Sequence, residues 1–243
     1  VSGNDNDWTV GNLDATNQTT DSPTNNFCVL NSLDNYWQQH TLSQGNCYLT
    51  GNGSSGYYSY STGTFALSKG KWYYEVKVIT TNSDIYGITD RVPEASGDFP
   101  GFTANGWGYN NQGGSGFLRN NNGEASYGDS FTDDDIMGCY MDLDNAKLYF
   151  AKNGTLQDSG TGIDITAIAS TTNGFYFPSI GDWNNTAAGV YAVNFGNPTF
   201  ALSSAVADDD GYGAFEYDPT AGSFDSGSKK FYAICTKNLA EYG

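Results

Sequence analysis

The segment DIMGCYMDLDNAKLYFAKNG, residues 135–154, constrains the fold more than any other part of this chain. Met137, Cys139, Met141 and Leu143 share one face of an alternating run. Asp144-Asn145 supplies turn chemistry, Leu148 and Phe150 return on the next run, and Asn153-Gly154 reverses the chain again. Strand side chains point alternately to opposite faces, and Asn and Gly accept the backbone angles of tight reversals. The spacing therefore predicts two antiparallel strands between two turns.

The same period of two recurs in KWYYEVKVI at 71–79. Trp72, Tyr74, Val76 and Val78 face one way, and Tyr73, Glu75, Lys77 and Ile79 the other. SDIYGI (83–88) reads as a short strand with Gly87 inside it, a mark of close backbone approach. FYFPSI (175–180) and VYAVNFG (190–196) read as strands bracketing the polar loop GDWNNTAAG. FCVLN (27–31) and NCYLT (46–50) read as edge strands, and KKFYAICT (229–236) as a last apolar strand closing against the first. Residues 89–132 are the longest weakly patterned stretch and are expected to be loops. With 31 Gly, 18 Tyr, 14 Phe and 5 Trp and no long run of Ala, Leu, Glu and Lys, the class is all-β. The expected organisation is a polar arm or linker at 1–26, carrying Trp8 and Val10, followed by one domain at 27–243. A start at Val1, with no Met and no signal-like apolar stretch, suggests a processed product or a segment of a longer chain.

The formal charge is −17, and only 10 residues are Lys or Arg. Such a surface repels phosphate backbones and offers no cluster to release counterions, which argues against nucleic acid as a partner. No run of about 18 apolar residues is present for membrane insertion. Asp-rich loops have the hard oxygens that Ca²⁺ takes, although solvated loop charge accounts for them more simply. Cys28, Cys47, Cys139 and Cys235 lack a C-x-x-C pair and have only His40 as an imidazole partner, so zinc is not expected. Whether Cys28 and Cys47 pair stays open, and His40, in NYWQQHTLSQG, is expected at the surface. For glycoside hydrolysis two carboxylates must flank the bond. Glu75 stands alone on its strand, and Asp142 and Asp144 have the spacing but sit at a turn, where Asp is common for conformational reasons. His40 has no nucleophile elbow beside it, so no enzyme is expected.

Taken in order, GKWYYEVKV (70–78), DIYGI (84–88), the hairpin at 135–154, FPSI (177–180) and VNFG (193–196) resemble the SPRY domain, with Asp135, Gly138, Asp142, Phe150, Asn153, Gly154, Pro178, Asn194, Phe195 and Gly196 in register. The resemblance covers about residues 64–196. It implies a bent two-sheet antiparallel β-sandwich, a concanavalin-like jelly roll with long loops, that binds protein partners through loops at one end. The matching residues themselves read as fold determinants. Nothing resembles a RING, B-box or SOCS-box segment. The flanks DSPTNNFCVLNSLDN (21–35), TLSQGN (41–46), GAFEYDP (213–219) and YAICTKNL (232–239) are similar to segments in structural proteins of marine tailed phages.

Recognition needs rigid aromatic area beside orienting polar groups. Trp107, Tyr109, Phe117 and Arg119 in one loop region, and Trp183, Asn184 and Asn185 in another, supply both and would suit a glycan or a protein. The competing reading makes Trp107 and Trp183 buried loop anchors and puts Arg91 and Arg119 in salt bridges. The expected function is a non-enzymatic virion protein, extracellular and homo-oligomeric, in a fibre or capsid decoration that contacts a host-surface glycan or protein. A purely structural module touching other virion subunits is one alternative, and a cellular SPRY protein-interaction adaptor is another.

Overall fold

The computed structural model describes residues 21–34, 37, 39–53, 58, 60–182 and 187–243. Among these, the strands in chain order are β1 (Thr41–Ser43), β2 (Tyr48–Thr50), β3 (Tyr60–Thr62), β4 (Lys71–Thr80), β5 (Asp84–Thr89), β6 (Gly106–Gln112), β7 (Ser115–Asn120), β8 (Gly123–Ser126), β9 (Ile136–Asp142), β10 (Lys147–Lys152), β11 (Thr155–Leu156), β12 (Ile163–Asp164), β13 (Phe177–Asp182), β14 (Val190–Asn194) and β15 (Tyr232–Ala233). One helix, α1 (Thr236–Tyr242), follows. They build two sheets. The larger runs β1-β2-β14-β4-β9-β10-β11, with β12 on β10 and β15 parallel to β4; the smaller runs β3-β13-β5-β6-β7-β8. This is the two-sheet antiparallel sandwich expected from the sequence.

Alternation explains the packing. Trp72, Tyr74, Val76 and Val78 of β4, Met137, Cys139 and Met141 of β9, and Leu148 and Phe150 of β10 all enter the core between the sheets, where they meet Tyr86, Ile88, Trp107, Tyr109 and Ile180. The other face of the same strands is buried too. Tyr73, Tyr140, Tyr149 and Ala151 pack under Phe215, Phe224, Phe231, Ala233 and Cys235, which come from the C-terminal segment. Centroid separations of 4.5–5.1 Å, for Tyr73–Tyr140, Tyr73–Phe215 and Tyr140–Phe224, put these rings in the favourable range for aromatic pairs.

Three buried carboxylates fasten that segment. Glu75 accepts from the backbone N–H groups of Glu216 (3.0 Å) and Tyr217 (2.9 Å), and also from Asn194 Nδ2 (2.9 Å) and Tyr73 OH (3.0 Å). Gly138 lies opposite Glu75 across β4 and β9, and a Cβ there would meet the Tyr73 ring at 3.0 Å. Asp208 accepts from Ala233 N–H (2.9 Å) and Asn238 Nδ2 (2.7 Å). Asp142 accepts from Asn145 and from the hydroxyls of Ser226 and Ser228.

Several local expectations are corrected. Residues 89–132 contain the meander β6-β7-β8. FCVLN makes only isolated bridges, Phe27 to Cys235 and Leu30 to Gly63. Of KKFYAICT, only Tyr232 and Ala233 are strand; Phe231 and Cys235 pack on the outer face of the larger sheet, Ile234 enters the central core, and Thr236 starts α1. His40 is buried, and burial pulls its imidazole down to about 4. All four cysteines are buried free thiols. Trp8 and Val10 lie outside the described residues. The described part of the expected arm is hydrogen-bonded to α1, with Asn26 N–H donating to Thr236 Oγ1 at 2.9 Å and Lys237 N–H to Asn25 Oδ1 at 3.2 Å.

Candidate interaction surface

The four sequence-selected residues that are described do not converge on a site. Trp107 and Tyr109 are on β6 and point into the core, because their partners across β5, Ile88 and Tyr86, point there as well. Trp107 packs edge-on to Tyr176 at 5.9 Å, and the Tyr109 hydroxyl donates to the carbonyl of Asp129. Trp107 is buried, as the competing reading has it, but on a strand and not in a loop. Arg119 faces the opposite side of the sheet but is buried there, bound to Glu124, Gln112 and Asn110. The salt-bridge reading holds for both arginines. Phe117 is half-buried beside a hollow of about 520 Å³ lined by Gly114–Phe117 and Ser126–Ser130. Trp183, Asn184 and Asn185 lie outside the described residues.

Arg119 is buried because residues 90–105 fold back over the outer face of the smaller sheet. Pro100 sits so close that a Cβ on Gly108 would stand 2.4 Å from its carbonyl oxygen, and Gly101, with φ +93°, lies against Arg119. Only glycine fits both positions. The loop is pinned along its length. Asp90 Oδ2 accepts from Asn105 Nδ2 (2.9 Å) and Thr172 N–H (3.2 Å). Asp98 accepts from the N–H groups of Glu94 (2.7 Å) and Ala95 (3.2 Å) and pairs with Arg91. Asn121 and Asn122, at the β7–β8 turn, donate backbone N–H groups to Thr103 and Gly101.

The loop reaches the β3 edge, where the Tyr60 hydroxyl donates to the Arg91 carbonyl at 2.9 Å and Tyr58 N–H to the Ser96 carbonyl at 3.1 Å. A second segment packs on the same strand. Asp34, in the 3-10 turn Ser32–Asp34, accepts from Thr62 N–H, Thr62 Oγ1 and Ser61 Oγ. Burial pushes its carboxyl up to about 6 despite those donors. Among the described residues, the large hydrophobic side chains left exposed are Leu33 (90%), Trp37 (41%), Val92 (39%) and Phe102 (37%). Leu33 and Trp37 belong to the segment that packs on β3, and Val92 and Phe102 to the loop that runs from the β3 edge across the smaller sheet to β7. Phe102 is backed by Phe99 at 5.4 Å, and Phe99 by Tyr58 at 5.9 Å, so its ring stands on an aromatic base. Arg91 and Glu94 give polar groups beside Val92 on the same loop. An apolar centre with a polar rim on a backbone fixed in advance is the build of a protein-binding surface.

The sequence reading missed these four because an isolated apolar residue in a polar stretch looks alike whether it anchors a loop or crowns it. The available signal was Val92 next to Pro93, and Leu33 and Trp37 within NSLDNYWQQH.

Comparisons with known proteins bear on the fold. The family description "SPRY domain" matches residues 71–191. Ran-binding protein 9 of Xenopus tropicalis is 28% identical over 145 residues, covering 58% of this chain and 24% of that protein. ATP-dependent RNA helicase DDX1 of Xenopus laevis is 31% identical over 140 residues, covering 54% of this chain and 18% of that protein. The chain thus spans a quarter or less of these relatives' length. The crystal structure of the SPRY domain of human HERC1 superposes with a TM-score of 0.51 at 19% identity, over 64% of this chain and 92% of that one, and shares the fold. The match from 71 to 191 lies between the flanks at 21–46 and 213–239, so their likeness to phage proteins gains nothing from it, and the relatives named are vertebrate proteins. Residues 71–191 of this chain match the SPRY domain family, and the C-terminal segment beyond the match closes over the outer face of the larger sheet.

Proposed function

We propose that this chain is a protein-interaction adaptor that captures its partner on the surface formed by Leu33, Trp37, Val92 and Phe102. SPRY domains are generally protein-interaction modules, which favours the cellular adaptor over the virion readings. The observation that carries the proposal is that the exposed large hydrophobics among the described residues all fall on two segments that bond to β3, Leu33 and Trp37 on one and Val92 and Phe102 on the loop held down by Asp90, Asp98 and the β7–β8 turn. The partner that fits presents an apolar or aromatic side chain to the centre. With a net charge of −17 on this side, it presents basic residues at its rim.

The test is to select peptides from a random library on the purified chain and measure their affinity for a Val92→Asp/Phe102→Asp double variant. Both positions are exposed, so stability should stay within about 0.5 kcal/mol of wild type. Affinity is expected to fall at least tenfold, the size of an interface anchor of about 1.4 kcal/mol or more. Selected peptides that bind wild type and variant equally would refute the placement of the surface.

A further inference from the structure

Five Asn-Gly pairs occur in the chain, at 52–53, 105–106, 122–123, 153–154 and 173–174. In such a pair the glycine nitrogen, with no side chain to hinder it, can attack the carboxamide carbon of the asparagine before it. The fold ties most of these groups down. Asn105 Nδ2 donates to Asp90 Oδ2 at 2.9 Å, and Gly106 N–H to the Thr103 carbonyl at 3.1 Å. Asn153 Nδ2 donates to Asp135 Oδ1 at 2.6 Å, while its Oδ1 accepts from Ile136 N–H at 2.9 Å. Asn173 Nδ2 donates to the Asp90 carbonyl at 2.7 Å, and Gly174 N–H to Thr171 Oγ1 at 2.9 Å. Asn52 is half-buried, and Gly53 packs against Ala187 and Ala188. Asn122 is exposed, as are Asn121 and all of β8, and its side chain has no hydrogen bond among the described residues. It sits at φ +58° in the two-residue turn that joins β7 to β8, and Gly123 belongs to the end pair of that ladder, opposite Asn120. Only this pair has to open for Gly123 N to reach the Asn122 carboxamide, and the end of an exposed hairpin is where a ladder opens most readily.

We propose that Asn122 is a site of spontaneous deamidation, and that its conversion releases the 90–105 loop from the β7–β8 turn. Gly123 N bonds to Asn122 Cγ and gives up its proton, the Cγ–Nδ2 bond breaks, and ammonia leaves carrying that proton. Water then opens the succinimide ring at one of its two carbonyls, giving aspartate or isoaspartate. Either product adds a negative charge to a turn that already carries Glu124. In isoaspartate the backbone also runs through Cβ and Cγ, one atom longer than before, so a turn closed by two residues no longer fits its ladder. That turn holds the loop through two donors, Asn121 N–H to the Thr103 carbonyl at 3.0 Å and Asn122 N–H to the Gly101 carbonyl at 3.1 Å. The α-carboxylate of isoaspartate stands on the carbon that bears the second donor, where it repels the Gly101 carbonyl oxygen. Loss of these holds frees Gly101 and, next to it, Phe102. The change thereby ages the apolar surface, a last step that rests on the assignment of that surface to Phe102.

The test is to incubate the whole chain at pH 8, native and in urea, and to map the peptides in which an NH group has been exchanged for oxygen. In urea all five asparagines are expected to convert at similar rates, since the fold no longer tells them apart. In the native chain Asn122 is expected to convert at least about tenfold faster than Asn105, Asn153 or Asn173, whose bonds break only in larger openings. Asn122 converting no faster than those three, or staying intact while the chain in urea is consumed, would overturn the proposal. Asn122→Gly keeps the left-handed turn and has no carboxamide, so it serves as the unreactive control. Hydrogen exchange reads the second step. The amides of Asn121 and Gly106, which both donate to the Thr103 carbonyl, should exchange at least about tenfold faster in aged wild type and not in aged Asn122→Gly. Unchanged protection of both amides in the isoaspartate form overturns the release of the loop. Mapping and exchange involve no partner, so their failure is distinct from failure of the surface itself, which the Val92→Asp/Phe102→Asp variant tests.

Discussion

Replacing Glu75 by Gln should detach the C-terminal segment from the larger sheet. Each carboxylate oxygen of Glu75 takes two donors. Oε1 accepts from Tyr73 OH and Tyr217 N–H, and Oε2 from Asn194 Nδ2 and Glu216 N–H. A glutamine retains one oxygen. Turned to keep that oxygen at Asn194 and Glu216, its NH₂ group can donate to the Tyr73 hydroxyl, which accepts as well as donates, but it meets the Tyr217 N–H donor to donor. The bonds to a charged group become bonds to a neutral one, and one buried N–H is left without an acceptor. At roughly 1–3 kcal/mol for the stranded group, with the weaker neutral bonds set against the lower desolvation cost of a neutral side chain, the net loss is about 1–3 kcal/mol. In a chain of this size that lowers the melting temperature by roughly 2–12 °C. Hydrogen exchange gives the location as well as the size, because the amides of Glu216 and Tyr217 should lose protection before those of β9 and β10. A Glu75→Gln protein that melts within about 2 °C of wild type and still protects both amides would refute the argument.

Cutting the chain after Gly196 removes Phe215, Phe224 and Phe231 and bares Tyr73, Tyr140 and Tyr149 on a flat sheet. The shortened protein should aggregate, read by light scattering, and a soluble monomer would show that the aromatic cover is dispensable. The cysteines should be inert while the chain is folded. Burial pushes Cys28 up to about 11 and Cys47 up to about 12, so little thiolate exists at pH 8 and none of the four thiols is accessible. Alkylation should proceed only at the rate of unfolding, and fast labelling in native buffer would contradict the packing described.

The larger sheet was legible because its strands carry two distinct faces. The Trp72–Val78 and Met137–Met141 alternations each put one set of side chains in the central core. That their second faces are buried as well was only half visible, since Tyr73, Tyr140 and Tyr149 need partners from far along the chain, and nothing in KKFYAICT says that Phe231 covers a face while only Tyr232 and Ala233 pair with β4. The meander β6-β7-β8 escaped notice for a related reason. Its outer face is covered by backbone at Pro100 and Gly101, so Gly106, Gly108 and Asn110 stand where an apolar pattern was sought. Trp107 and Tyr109 then look like aromatic ornaments of a glycine-rich loop, although they are the inward-facing residues of a strand. Leu33, Trp37, Val92 and Phe102 could not be ranked above other lone hydrophobics without knowing which side of the loop faces the sheet.

The bridge between Phe27 and Cys235, reinforced by Cys28 N–H donating to Ile234 O at 2.8 Å, has a further consequence. Residues far apart in the sequence are joined there, and the same border is stitched further by Asn25 and Asn26 to α1. A change that frees one side of this seam should free the other, so the strap at 21–28 and α1 loosen as one piece, and force applied across Phe27 and Cys235 would load this short bridge before either sheet.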